Sequence, residues 1–385
     1  CPSGLDVVAA QPGIIDSGPS RSQMWYTSDN IWWGAFSNNT DGLYFYKRAT
    51  PTTWTQGTLI DTNLVAGVFI AGAPDCLWDG TNLFIMIQES GTLAKFYKYS
   101  YNSTTQTFTK LAGFPVSIPL TGVGTSASGK VFGTLGIDKD STGRIWAAYA
   151  GGGLGGDGNV RVINSTSADH LTWDTTGTII GTGVSTLKTE GAALVKFGSR
   201  IGVAWSNLNT ATNSFRYHND ADPAATWSLP EVIDSGLGPE GLGPASSKQM
   251  TMKAHPDGRI FMVANDNDGN GHMLLYIRST LGVWGNKTLV VNDFSAAPSK
   301  GMLLLDTDND EVHVVFKDNT VAVNGLTGQT FIVQSSMTNP AFNTSCILID
   351  TSDDLGVSST SNPTSTKQTV NATTDLVVAG STGRA

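Results

Sequence analysis

The feature of this sequence that most constrains its fold is an internal repeat. Aromatic residues recur at spacings of 54, 65, 54, 57 and 58 residues, and a stretch of alternating apolar and polar residues precedes each of them. A second apolar stretch lies some 25 residues further upstream, usually after a tight turn such as STG or PDG. Each unit therefore predicts four antiparallel strands, which we name a, b, c and d in chain order. The aromatic residues are Trp54, Phe108, Trp173, Trp227, Trp284 and Phe342.

Four-stranded units that repeat at this period are typical of the blades of a β-propeller, in which each blade buries its faces against its neighbours. The sequence predicts an all-β fold, with a single propeller domain over residues 1–385. Six blades are complete, and the chain termini supply a seventh that the N-terminal strand closes. Six blades in total is the alternative. The predicted blades span about 21–61, 72–117, 130–181, 188–235, 248–293 and 300–350, with 367–385 plus 1–16 as the seventh.

Composition and charge exclude several classes of function. The formal net charge of −9 argues against nucleic-acid binding, which requires a basic surface. The chain has no apolar run of the length that spans a membrane, so we expect no transmembrane segment. Its three cysteines form no metal-binding or redox motif, and we expect no cofactor.

The cysteines also indicate where in or outside the cell the protein is expected to be found. The chain starts at Cys1 without a methionine, which predicts a processed, secreted or surface-displayed protein. Cys1 is a candidate for a lipid anchor, or for a disulfide bond with Cys346 at the rim of the sixth blade. Cys76 is expected near the axis, too far from Cys346 for those two residues to be bridged.

The predicted turns between strands c and d resemble a known motif. The segments STSADHLTW at 165–173 and NDADPAATW at 219–227 are similar to degenerate Asp-boxes of the sialidase-like BNR-repeat propellers. The resemblance covers nearly the whole chain and implies a propeller whose Trp54, Trp173, Trp227 and Trp284 pack between blades. The arginine triad of sialidases has no matching set here. The arginines lie at a–b turns (Arg144, Arg200, Arg259) or in c strands (Arg48, Arg216, Arg278).

Basic residues recur at the predicted starts of the innermost strands, where the central channel opens. In an acidic protein, a cationic ring at this position predicts an anionic ligand such as a carboxylated or sulfated glycan. Solvated lysines that protect strand edges are the alternative interpretation. The candidate ligand-binding residues are Arg21, Lys130, Lys188, Lys248, Lys300 and Lys367.

Candidates for chemistry are few. Glu190, His272 and Tyr276 are the catalytic candidates, because a His/Tyr pair on the ligand face can perform the acid–base step of a polysaccharide lyase. Alternating carboxylates gather oxygen ligands in calcium loops, which makes calcium the one candidate metal. Such carboxylates occur at Asp306, Asp308 and Asp310, and more weakly at Asp266 and Asp268.

Three functions remain open from the sequence. The first is a propeller of lectin or adhesin type that binds a glycan, in particular an acidic polysaccharide, at the channel mouth without cleaving it. The second is a polysaccharide lyase or glycosidase. The third is a structural subunit of an extracellular fibre, sheath or virion that binds protein partners. The absence of a recognisable catalytic set favours a binding protein over an enzyme, although fold alone does not separate the three.

Overall fold

The computed structural model describes most of the chain. The described residues are 5–8, 21–37, 42–50, 53–62, 74–90, 92–124, 135–151, 155–184, 191–207, 209–235, 250–265, 272–285, 287–291, 298–318, 330–342, 345–349, 357–360, 363–371, 373–380 and 382–384. Within them, no helix is long and apolar enough to cross a membrane.

The described residues form 29 β-strands. In chain order they are β1 (Leu5–Val8), β2 (Met24–Thr27), β3 (Ile31–Ser37), β4 (Leu43–Thr50), β5 (Thr53–Asp61), β6 (Asp75–Trp78), β7 (Asn82–Ser90), β8 (Leu93–Asn102), β9 (Thr107–Lys110), β10 (Val116–Pro119), β11 (Gly136–Lys139), β12 (Ile145–Ala150), β13 (Asn159–Asn164), β14 (Thr178–Thr182), β15 (Ala192–Phe197), β16 (Arg200–Asn207), β17 (Thr212–Asn219), β18 (Glu231–Ser235), β19 (Met250–Ala254), β20 (Ile260–Asn265), β21 (Met273–Arg278), β22 (Thr288–Val291), β23 (Pro298–Asp306), β24 (Glu311–Asp318), β25 (Thr330–Ser336), β26 (Ser345–Ile349), β27 (Val357–Thr360), β28 (Leu376–Ala379) and β29 (Thr382–Arg384).

These strands build six antiparallel blades, β2–β5, β6–β10, β11–β14, β15–β18, β19–β22 and β23–β26. In blade two, β9 and β10 both pair with β8 and share the outermost position. Around the axis, each innermost strand contacts the next in the order β2, β6, β11, β15, β19 and β23. The prediction of a propeller with four-stranded blades is confirmed.

The prediction of seven blades is wrong, and the six-blade alternative is right. A closing segment, residues 363–371, fills the gap between blade six and blade one. The backbone N–H of Met24 donates to the Ser365 carbonyl at 3.3 Å, and the N–H of Val370 donates to the Leu305 carbonyl at 2.9 Å. Among the described residues, the termini also form two two-stranded sheets, β1 with β28 and β27 with β29. The β1–β28 pair is parallel, unlike the strand pairs of the blades, and residues 12–16 lie outside the described part of the chain.

The recurring aromatic residues join neighbouring blades, as predicted for blade-packing positions. Trp173 of blade three lies with its ring centroid 4.9 Å from that of Phe96 in blade two. Trp284 of blade five contacts Phe215 of blade four in the same way, at 5.3 Å. Edge-to-face contacts of this kind add to the gain from burying the rings. They explain why the aromatic column recurs with the blade period.

The second strand of each blade is buried on both faces. All six residues of β12, Ile145–Ala150, are buried, because blades two and four cover the two faces of blade three. In the sequence such a strand is a continuous apolar run, as in IWAAYA at 145–150.

Candidate functional site

A cavity of about 230 Å³ lies on the propeller axis, and we call it the axial channel. It is lined by the innermost strands of blades two to five, by residues just before β2, and by the closing segment. Acidic and basic side chains are both present. The charged side chains that line it are Arg21, Asp75, Asp138, Lys196, Lys253 and Lys367.

Asp75 holds three parts of the ring together. Its side chain is 1% exposed, and one carboxylate oxygen accepts a hydrogen bond from the Ser22 backbone N–H at 3.1 Å. The other oxygen accepts from the Ile137 backbone N–H at 2.7 Å and lies 2.8 Å from the Lys367 ammonium. The carboxylate thus joins the entry to blade one, blade three and the closing segment.

Lys253 is a buried cation of the channel. Its residue is 5% exposed, and its ammonium group donates to the Thr366 carbonyl. Burial, with the nearby Lys367 ammonium, lowers the pKa of Lys253 to about 7, and the Asp138 and Asp75 carboxylates oppose this shift. Burial raises the pKa of Asp138 in the same cavity.

Only part of the predicted cationic ring falls within the described residues. Arg21 and Lys367 do line the axial channel. Lys300 is one of the first three residues of β23, for which only the backbone is described. The remaining members, Lys130, Lys188 and Lys248, lie outside the described residues. The ring as a whole stays a prediction.

Two of the three catalytic candidates, His272 and Tyr276, fall within the described residues. His272 lies directly before β21, and Tyr276 lies within this strand, four residues further on. Their backbones are therefore about 13 Å apart. Tyr276 is 1% exposed and donates from its hydroxyl to Asp234 of blade four at 2.9 Å, as an inter-blade contact. Glu190 lies outside the described residues.

The carboxylates proposed for calcium form a turn. The Asp306 carboxylate accepts hydrogen bonds from the backbone N–H groups of Asp308 and Asn309, at 3.1 and 3.2 Å. Asp308 is exposed, and the Asp310 carboxylate accepts from the Ser336 hydroxyl. Asp266 and Asp268 lie outside the described residues. Calcium binding at either place stays a prediction.

The cysteine predictions are tested only at Cys76. Its thiol is free and buried beside the axis, and burial raises its pKa. The side chains of Cys1 and Cys346 lie outside the described part of the chain.

A second cavity, which the sequence did not indicate, opens between blades two and three on the face of the a–b and c–d turns. It has a volume of about 410 Å³, and we call it the basic groove. Its titratable side chains are Lys98 of β8, Lys139 at the end of β11, Arg144 of the following turn, and His170 of the c–d turn. No Asp or Glu is among the described residues that line it.

A buried histidine orients one of the groove's lysines. His170 is 5% exposed, and its Nε2 lies 2.9 Å from the Gly143 carbonyl oxygen, which can only accept a hydrogen bond. Nε2 therefore carries the proton, and Nδ1 accepts a hydrogen bond from the Lys98 ammonium at 3.1 Å. Burial, together with Lys98 and Lys139, lowers the pKa of His170, which keeps the ring neutral.

The two lysines of the groove lie over the same aromatic ring. The Lys98 and Lys139 ammonium nitrogens are 5.7 and 5.6 Å from the centroid of Phe84. Lys139 forms an ion pair with Asp79 at 2.5 Å, whereas no described carboxylate lies within ion-pair distance of Lys98. Burial and the neighbouring Lys139 lower the pKa of Lys98. A half-buried cation beside a second cation is stabilised by any anion that enters the groove.

Comparisons with known proteins bear on the fold. No protein-family profile and no curated protein sequence matches this chain. A protein of unknown function from Dyadobacter fermentans DSM 18053 superposes with a TM-score of 0.52 at 12% identity, covering 86% of this chain and 98% of the other. AofleA from Arthrobotrys oligospora superposes with a TM-score of 0.50 at 8% identity, covering 87% and 89%.

A third structure, the fungal lectin from Aleuria aurantia, is described as a six-bladed β-propeller with a novel fucose recognition mode. It superposes with a TM-score of 0.46 at 16% identity, covering 71% of this chain and 78% of the lectin. At these identities the first two likenesses show a shared fold alone. Membership of the BNR-repeat group stays a prediction.

Proposed function

We propose that this propeller binds an anionic glycan without cleaving it, and that the basic groove holds an acidic group of that glycan. One observation carries the proposal. In a protein with a formal net charge of −9, the titratable side chains that line this cavity are all basic. A concave site with fixed charge of one sign concentrates ligands of the opposite sign.

Lys98 is the cation that would contact the acidic group of the glycan. The neutral His170 ring accepts a hydrogen bond from the Lys98 ammonium but supplies no negative charge to balance it. A sulfate or carboxylate group that enters the groove supplies that charge and accepts from the remaining ammonium protons. Thr166 also lines the cavity, and its exposed hydroxyl suits a hydroxyl group of a sugar.

The axial channel is a weaker candidate for the acidic group. Its lysines lie beside acidic side chains, since Lys367 is paired with Asp75 at 2.8 Å and Lys253 interacts with Asp138. The predicted ring at the channel mouth is a separate proposal, and the same binding assay tests both.

The test of the groove is a pair of variants, Lys98→Met and Lys139→Met. Calorimetry with a size-defined, heparin-derived sulfated oligosaccharide should show binding weakened by about 10-fold or more in each variant, because hydrogen bonds to charged groups contribute about 1.5–3 kcal/mol. The matched control is Arg200→Met, which removes one charge from the exposed start of β16, on the same face of blade four. We expect this control to bind within about 2-fold of the parent, since it lies outside the groove.

Two outcomes would assign the site elsewhere. Unchanged affinity in both groove variants, with weaker binding when Lys188, Lys248 and Lys300 are all replaced by Gln, would place the anion at the channel mouth. Shorter or unsaturated oligosaccharides that accumulate when the parent protein is incubated with the polysaccharide would replace the binding proposal with the lyase or glycosidase alternative.

A further inference from the structure

The hairpin between β23 and β24 of blade six brings three potential metal ligands to one face. Asp306 stands opposite Glu311, and Leu304 stands opposite His313. Because side chains alternate along a strand, Asp306, Glu311 and His313 project from the same side of the hairpin. One ligand atom from each lies within 4.8 Å of the others.

His313 is the unusual member of this group. It is 2% exposed, with its Nε2 3.4 Å from the Glu311 carboxylate and its Nδ1 buried without a hydrogen-bond partner. The residue directly opposite on β25 is Gln334, whose side-chain oxygen is also buried without a partner. Directly opposed residues have Cβ atoms about 5 Å apart, which is close enough for a hydrogen bond between these two side chains.

A hydrogen bond between these two atoms determines which nitrogen of the His313 ring carries the proton. If Nδ1–H donates to the Gln334 oxygen, both buried atoms are satisfied, and the neutral ring then carries its lone pair on Nε2. That lone pair points toward the Asp306 and Glu311 carboxylates. Three electron-pair donors facing one another repel unless a cation lies between them.

From this arrangement we propose that Asp306, Glu311 and His313 bind a divalent transition-metal ion, with zinc as the representative, and that Gln334 orients the histidine. Ligand bonds of about 2.1 Å in a tetrahedral site place neighbouring ligand atoms about 3.4 Å apart. The His313–Glu311 separation of 3.4 Å already has this value. An imidazole nitrogen with carboxylates suits zinc, whereas calcium selects oxygen ligands alone.

The proposed metal site lies where blade six meets the closing segment. Its face of blade six packs against the closing segment, through a cluster that includes Leu304, Val315 and Val370. The backbone N–H of Thr307, next to Asp306, donates to the Val370 carbonyl at 3.2 Å. A bound ion therefore stabilises the blade where the ring closes, and it should raise the melting temperature.

The experiment is a titration of the chelator-treated full chain with Zn²⁺, followed by calorimetry, and with Co²⁺, followed by its visible absorption. We expect one tight site per chain, a higher melting temperature with zinc, and a cobalt spectrum of low coordination number. His313→Gln and Glu311→Gln should each weaken zinc binding more than about 10-fold, and Gln334→Leu should weaken it about 10-fold. Using two ligand variants keeps the test decisive if one of them fails to fold.

The matched control is His255→Gln. His255 occupies the corresponding turn of blade five, where its Nδ1 lies 2.9 Å from Asp257 without a third ligand among the described residues. This control should bind zinc like the parent. The proposal is overturned if the parent binds no zinc, if calcium binds and zinc does not, or if the control weakens binding while both ligand variants retain it.

Discussion

Replacing Asp75 with alanine is expected to lower the free energy of unfolding by about 3–5 kcal/mol, the cost of breaking a buried ion pair by removing one partner. The change leaves the backbone N–H groups of Ser22 and Ile137 without their acceptor and leaves the Lys367 ammonium without its carboxylate. These groups belong to three different parts of the ring, so we expect closure of the propeller to be weakened as a whole. Chemical denaturation followed by tryptophan fluorescence measures the effect.

A conservative variant at position 75 and an exposed control show whether the loss of stability comes from the buried carboxylate. Asp75→Asn keeps the size of the side chain and one oxygen acceptor, and it should cost less than the alanine variant. Asp308→Ala removes an exposed carboxylate and should change stability by less than about 0.5 kcal/mol. An alanine variant at position 75 that unfolds like the parent would show that Asp75 does not hold the ring closed.

The second large effect is on the pH dependence of stability, and it comes from Lys253. Its pKa is about 7 in the folded protein, whereas the ordinary value is 10.5. Between these two values the unfolded chain binds more protons than the folded protein, so this residue makes stability rise with pH over that window. Below pH 7 the folded protein has to hold a buried charge, and the associated cost is fully present.

Lys253→Met removes this contribution. Relative to the variant, the parent should gain stability steadily from pH 7 to pH 10, and the two denaturation midpoints should run parallel below pH 6. Comparing parent with variant cancels the titration of the groups that do not interact with Lys253. A difference that stays constant from pH 6 to pH 10 would mean that Lys253 is charged throughout this range and that its ammonium is better solvated than the structure indicates.

Much of the fold was predictable because a propeller repeats its local chemistry. The aromatic residue shortly before each of these outer strands packs on the preceding blade, so the position recurs at Trp173, Trp227 and Trp284 with the period of the blades. The blade count was harder to predict. The terminal segments carry the alternating pattern of strands, but pairing is a long-range property, and the parallel β1–β28 pair has no local signature.

The candidate sites were less predictable than the fold. The sequence predicts Asp306 as a metal ligand, and the alternating carboxylates around it predict calcium as the metal. The strand register is needed to show that Glu311 and His313 lie on the same face as Asp306. The basic groove was missed because its lysines come from separate blades, Lys98 from β8 and Lys139 from β11. Nothing in the local sequence of either lysine indicates that both lie over Phe84.

A glycan array probed with the purified protein tests the central claim most directly. Acidic glycans should be compared with their desulfated or carboxyl-reduced counterparts at low and moderate salt. We predict binding to the sulfated or carboxylated members, weaker binding to the neutral counterparts, and a loss of signal as salt rises, because screening reduces the attraction of the basic groove for an anion. Equal binding to acidic and neutral counterparts, or binding to no glycan on the array, would contradict the proposal that this propeller recognises an anionic glycan.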